Sequence, residues 1–245
     1  MEKQKRTGDT IQIPGDYQYK ALTSGNAVQR FWHESKQRVI TRLLPPQPTD
    51  FILDVGCGSG VIADYLGKSG AKVLGIDGNE DAIRFAQNTF TAPNVEYRQG
   101  LVDDLFKCDM PPDKIYCLEV IEHIYFEQGS EMLANFKKLL KPGGFVFLTT
   151  PNYHSLWPLI EWAMGKFSSA ARMDEVQHVA HYNSNCLKKK IDEAGLELVS
   201  LSSICFAAPW LSPVSHSVSV GLEHLETSIP LLPGAILVVV ARKGA

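Results

Sequence analysis

Two carboxylates and an imidazole stand together in the run EVIEH: Glu119, Glu122 and His123. Two further imidazoles, His178 and His181, follow in QHVAH. Glu119 and Glu122 are three apart and His123 adjoins, so one turn of chain can direct all three at a single point. Carboxylate oxygens with imidazole nitrogens suit a borderline or hard divalent ion, and the chain has no CxxC pair that would suggest a structural zinc site. Glu119, Glu122, His123 and His181 are therefore the candidate ligands for magnesium, manganese or zinc. The metal-free alternative uses His123 or His181 as a general base toward a hydroxyl group. The plain alternative is that Glu122 and His123 only pack and hydrogen-bond.

A second run, LDVGCGSG at residues 53–60, places Gly56, Gly58 and Gly60 behind Asp54. Glycines between a strand and a helix let the main chain approach a ligand with no Cβ in the way. Asp77 ends the next apolar run, VLGID, where a carboxylate can accept from both hydroxyls of a ribose. Strand, glycines, helix and acid in that order point to a nucleotide-type ligand. The spacing is G-x-G-x-G, and not the G-x-G-x-x-G of dinucleotide folds.

These residues need a scaffold, and the rest of the sequence supplies one. Apolar runs at 51–55, 72–77, 95–100, 114–120 and 145–151 read as strands, and the segments between several of them carry helical periodicity. A further helix (183–195), a strand (196–201) and a last strand (235–243) follow. Such alternation predicts an α/β fold with a doubly wound, Rossmann-like sheet. Residues 26–44 read as a helix that PPQP stops, and 1–25 as a loose polar arm. The expected organisation is an arm and helix over 1–50 and one domain over 51–245, interrupted by an inserted lid (152–183) and a second excursion (204–234).

The glycine run, the GID that ends the second strand, the LKPGG turn at 140–144 and the acid–histidine pair after the fourth strand resemble the class I S-adenosylmethionine-dependent methyltransferases. The likeness covers residues 26–202 and the last strand, and it implies a seven-stranded sheet whose final strand is antiparallel. It also implies S-adenosylmethionine as cofactor, with Gly56 and Gly58 against its methionine and ribose portion, Asp54 among the residues that bind it, and Asp77 on the ribose. Leu118 would lie beside the cofactor. Many relatives hold the adenine with an acid just after the third strand; here Leu101 stands first, leaving backbone groups near Leu101 and Val102, or Asp103. In detail CLEVIEHI, LKPGGFVFLTTPN and GID resemble the ubiquinone-biosynthesis O-methyltransferases. That group implies a basic residue from the N-terminal helix on the cofactor's carboxylate, which here is Lys36 or Arg38, with Lys36 preferred. The E-x-x-E-H run with a distant His also resembles the small-RNA 3′-end 2′-O-methyltransferases.

Composition narrows the acceptor. With 245 residues and a formal net charge of −3, and a pI near 6.2, the chain has no global attraction for a polyanion. DNA is excluded as a partner by this reading, and RNA is disfavoured. In the insertion, Leu156, Leu159, Ile160, Ala163, Met164 and Phe167 share a helical face, with Trp157 and Trp162 elsewhere. This is either a lid packed on the domain, a wall for an apolar acceptor, or a contact of 154–167 with a membrane surface. FAAPWLSPV (206–214) is the expected opposite wall. The expectation is a cytoplasmic enzyme, peripheral at the inner membrane surface if 154–167 binds lipid, that O-methylates an apolar aromatic or lipid-linked hydroxyl. The alternatives are an RNA-end 2′-O-methyltransferase and a cofactor-binding protein without activity.

Overall fold

A computed structural model describes residues 14–103, 106–158, 178–229 and 232–244. Seven strands form one sheet in the order β3-β2-β1-β4-β5-β7-β6: β1 Phe51–Val55, β2 Lys72–Asp77, β3 Val95–Gln99, β4 Lys114–Leu118, β5 Phe145–Pro151, β6 Glu197–Ile204 and β7 Ile236–Arg242. Strands β1 to β5 pair in parallel, whereas β7 runs antiparallel to both β5 and β6. The order reverses direction between β1 and β4, and ligands of open α/β sheets bind at the carboxyl end of such a point.

The central strands are buried on both faces, hence their near-continuous apolar runs. Alternate residues serve opposite sides. Ile52, Val73, Tyr116, Phe147 and Val238 belong to one core with Val39 and Ile40. Leu53, Leu74, Ile115, Val146 and Val239 belong to the other, with Leu133, Phe136, Leu187 and Ile191. The first core is covered by helices α2 (Ala27–Leu43), α3 (Val61–Gly67) and α4 (Glu80–Thr89), and the second by α5 (Phe126–Leu139) and α6 (Ser184–Glu193). Helix starts follow local chemistry. Asn26 and Gln29 form a reciprocal capping box on α2, and Asn79 and Asn183 accept first-turn N–H groups of α4 and α6. No helix among the described residues is long and apolar enough to cross a membrane.

One expectation needs correction. The arm is not loose throughout, because Tyr17–Thr23 forms helix α1. The Tyr19 N–H donates to Ser59 Oγ at 3.2 Å, and Gly15 lies so close to the Asp81 and Ala82 backbone that a Cβ would come within 2.6 Å. The expected 204–234 excursion between β6 and β7 carries helices α7 (Ala208–Leu211) and α8 (His216–Glu226).

Candidate active site

A cleft of about 400 Å³ opens at the carboxyl ends of β1, β2 and β4. On one side lie Gly56, Gly58, Ser59, Ile76, Asp77, Leu101, Val102 and Asp103; on the other Trp32, His33, Glu122, His123, Trp157, His178 and Trp210.

The glycine loop is tied down by its neighbours. The N–H groups of Gly56 and Cys57 both donate to the Ile76 carbonyl, at 2.8 and 3.1 Å. Gly56 and Gly58 have φ of +71° and +50°, a region that strains any residue with a Cβ. The added carbon would also stand 2.2 Å from Val120 Cγ2 or 2.8 Å from Gln18 Oε1. Asp77 accepts from the Gly58 N–H through Oδ2 and the Asn79 N–H through Oδ1, each at 2.8 Å. Burial raises its pKa, and the two bonds offset that rise only in part. Each carboxylate oxygen retains acceptor capacity beyond one bond, so the group can brace the loop and still receive a ribose hydroxyl. A bare, left-handed loop beside a fixed carboxylate, flanked by Ile76, Leu101 and Val102, fits S-adenosylmethionine. Asp54 is not on the wall: it is buried beneath the loop, and burial, followed by the charge of Asp77, raises its pKa to about 8. Leu118 is buried in β4, and the next two residues, Glu119 and Val120, line the cleft in its place.

Glu119 has φ of +56° and pairs with the buried Lys36 of α2. Burial alone would raise the Glu119 pKa, but the Lys36 ammonium outweighs it and the carboxyl titrates below its usual range. His33, also on the cleft, is driven down to about 3 by burial and then by Lys36, so it is neutral at physiological pH. The expected ligand set is thereby divided. Glu119 is engaged by Lys36, and Lys36 is engaged by Glu119, although the sequence reading gave one to a metal and the other to the cofactor's carboxylate.

Glu122, His123 and His178 do converge, with one ligand atom from each within 4.8 Å of the others. Glu122 is buried and accepts from Thr150 Oγ1 at 3.0 Å. Burial, then the neighbouring Glu119 charge, lifts its pKa to about 8. The His123 and His178 rings are 4.9 Å apart, and His178 Nδ1 bonds the Tyr153 hydroxyl at 3.0 Å. His181 is exposed and stacks flat on Tyr153, with ring centroids 3.9 Å apart. His178 therefore takes the place that the sequence reading gave to His181. Their common motif, at a spacing of three, holds no signal that separates them; the chain path after β5 does.

Tryptophans make the apolar half. Trp157 is buried, packs on Trp32 at 5.5 Å between centroids and lies 6.2 Å from His178. Leu156, expected on the shared apolar face, is 56% exposed, whereas Trp157, expected off that face, is the one turned inward. The rest of the expected face, from Leu159 to Phe167, lies outside the described residues, as does the lipid contact assigned to it. Of the second wall, Trp210 reaches the cleft while Leu211 and Val214 face solvent.

A family model described as a methyltransferase domain matches residues 28–201. The chain belongs to the methyltransferase domain family. Among curated relatives, the ubiquinone biosynthesis O-methyltransferase of Pseudomonas syringae pv. tomato is 38% identical over 105 residues, 41% of this chain and 44% of that protein. The match thus spans less than half of either. Among solved structures, an S-adenosylmethionine-dependent methyltransferase from Mesorhizobium loti aligns with a TM-score of 0.63 and 16% identity, covering 85% of this chain and 97% of that one. One from Archaeoglobus fulgidus aligns at 0.62 and 20%, covering 92% and 98%. At such identities the agreement is one of fold, and the fold is that of class I methyltransferases, antiparallel last strand included.

Proposed function

We propose that this methyltransferase uses S-adenosylmethionine to O-methylate a hydroxyl of an apolar small molecule, aromatic or lipid-linked. The observation that supports it is the meeting, in one cleft, of a tryptophan-lined half with the Glu122–His123–His178 cluster, opposite the glycine loop. The partial likeness to ubiquinone biosynthesis O-methyltransferases agrees with that acceptor class.

Bound at the loop, S-adenosylmethionine supplies a methyl group on an activated sulfonium, so catalysis rests on positioning and on removing one proton. Asp77 orients the ribose, and the α1 helix, packed on Ser59, covers the loop. Trp32, Trp157 and Trp210 take the apolar body of the acceptor and exclude water around its hydroxyl. His178, its ring orientation set by Tyr153, or His123 accepts the hydroxyl proton. Glu122 stays protonated through neutral pH, which keeps a second carboxylate charge from a site that already holds Glu119. The test is incubation with labelled S-adenosylmethionine and a panel of phenols of increasing apolar tail length. Turnover that rises with tail length is expected; turnover confined to RNA ends or to amines refutes the reading.

The convergence within 4.8 Å favours a second reading. Glu122, His123 and His178 fit a divalent cation, which would add Lewis acidity at the acceptor oxygen. Chelation followed by add-back of magnesium, manganese or zinc, with metal binding followed by calorimetry, separates the two. Full activity after thorough chelation leaves the imidazole base alone.

A further inference from the structure

Asn135 stands out in α5. The helix buries Met132, Leu133 and Phe136, and Asn135 is buried with them, 5% exposed. Asparagine is a poor residue for a helix interior, and its carboxamide resists burial unless both ends are bonded. One end is: Lys138 Nζ donates to Asn135 Oδ1 at 3.1 Å. An ammonium can only donate, so this bond fixes which way the amide faces. The oxygen is turned to Lys138 and the NH2 away from it, where it meets no acceptor among the described residues.

The unmet donor belongs to the cleft. Gln128, Glu131, Met132 and Asn135 recur at three- and four-residue steps, so one face of α5 forms cleft wall. The path from the glycine loop to that face is continuous. The Gly100 N–H donates to the Asp77 carbonyl at 3.0 Å, and Leu101 reaches back over Gly78, where a Cβ would stand 3.1 Å from its Cδ2. Val102 comes next, and it packs with Ile124 against the apolar cluster that contains Met132. Beyond the carboxylate that receives the ribose, the cleft therefore runs on between residues 101–102 and α5, lined by Val102, Ile124 and Met132. Two polar groups stand along it one turn apart: the Asn135 amide donor and the exposed carboxylate of Glu131, which pairs with no cation among the described residues. A donor beside an acceptor along an apolar slot matches the edge of adenine remote from the sugar, where N1 accepts and the 6-amino group donates.

We propose that α5 reads the adenine of S-adenosylmethionine, Asn135 Nδ2 donating to N1 and Glu131 accepting from the 6-amino group, in the role that an acid directly after β3 would otherwise fill. The inference rests on the cofactor reading above and is tested apart from it, by calorimetry with S-adenosylhomocysteine and S-inosylhomocysteine. Hypoxanthine reverses both signals, because its N1 carries hydrogen and its position 6 a carbonyl. Wild type should prefer the adenine ligand by about tenfold or more. Asn135→Leu, close in volume and a better helix former, should lose about tenfold on S-adenosylhomocysteine and little on the inosine ligand, so that the preference collapses. Glu131→Gln, at an exposed position, should narrow the preference too, since its amide can turn to donate. Equal binding of the two ligands by wild type overturns the proposal, as does an Asn135→Leu variant that keeps the preference or weakens both ligands alike. Should that variant fail to fold by circular dichroism, an unchanged preference in Glu131→Gln overturns it. A preference lost only in Asp103→Ala gives the base to the acid after β3 and overturns it as well. In each of these cases methylation of a phenol by the wild type leaves the proposed function standing, whereas a wild type that binds neither ligand removes both readings.

Discussion

Asp54→Asn probes the electrostatics beneath the glycine loop. The Asp54 side chain is 2% exposed, and its Oδ2 has no hydrogen-bond partner. Burial and the Asp77 charge lift its pKa from 3.8 to about 8, against a smaller opposing effect of the Ala63 N–H. The folded protein therefore keeps this proton over a range in which the unfolded chain has released it. A raised pKa contributes stability that is fully present below about 4 and is lost as pH rises through about 8. Within that window the loss runs at about 1.4 kcal/mol per pH unit, so from about pH 6 to about pH 8 wild type should lose roughly 2–3 kcal/mol more than the variant. Asparagine matches the shape of the neutral acid and cannot ionise, so the two proteins should converge, and the variant gain the advantage, as the medium turns alkaline. Urea unfolding at several pH values measures this difference, with contributions from other groups largely cancelling between the two proteins. A stability difference independent of pH would show that Asp54 is already ionised in the fold, and the account of a single anion at Asp77 would fall.

Asp77→Ala removes the acceptor of two backbone N–H groups, each charge-assisted bond being worth about 1.5–3 kcal/mol. S-adenosylhomocysteine affinity should fall at least about tenfold by calorimetry; unchanged affinity would mean that Asp77 only braces the loop. Trp157→Ala should raise the acceptor KM with cofactor affinity held, at a stability cost of about 3–5 kcal/mol for a large buried side chain. Equal loss of both affinities would make Trp157 simply core. His178→Ala should lower kcat by about 10²–10⁴, while His181→Ala changes it only a few-fold; the reverse ranking would restore the assignment made from sequence.

The sheet, the glycine loop and the carboxylate beside it were legible in the sequence because their signals are local. A strand buried on both faces must be apolar along its length, and a loop that brings backbone to a ligand must lack Cβ atoms, so Phe51–Val55, Gly56, Gly58 and Asp77 identify themselves within one strand–turn–helix unit. The opposite side of the cleft was not. His178 and His181 belong to an irregular segment with no periodicity, and whether one reaches the cleft depends on how that segment crosses Glu122, whose carbonyl takes the N–H groups of Val179 and Ala180. Trp157 and Leu156 differ by one position, and only packing against Trp32 decides which turns inward. Lys36 and Glu119 are 83 residues apart, and their union follows from the cost of burying either charge alone. The α8 helix escaped a reading based on amphipathicity because its acids Glu223 and Glu226 lie inside, where Arg38 and the N–H groups of residues 206–208 compensate their desolvation. The strands, the glycine loop and the Asp77 carboxylate beside it come from one-dimensional pattern; the order of the strands, the meeting of Glu122, His123 and His178 and the tryptophan wall come from which distant charges and rings the folded chain had to satisfy.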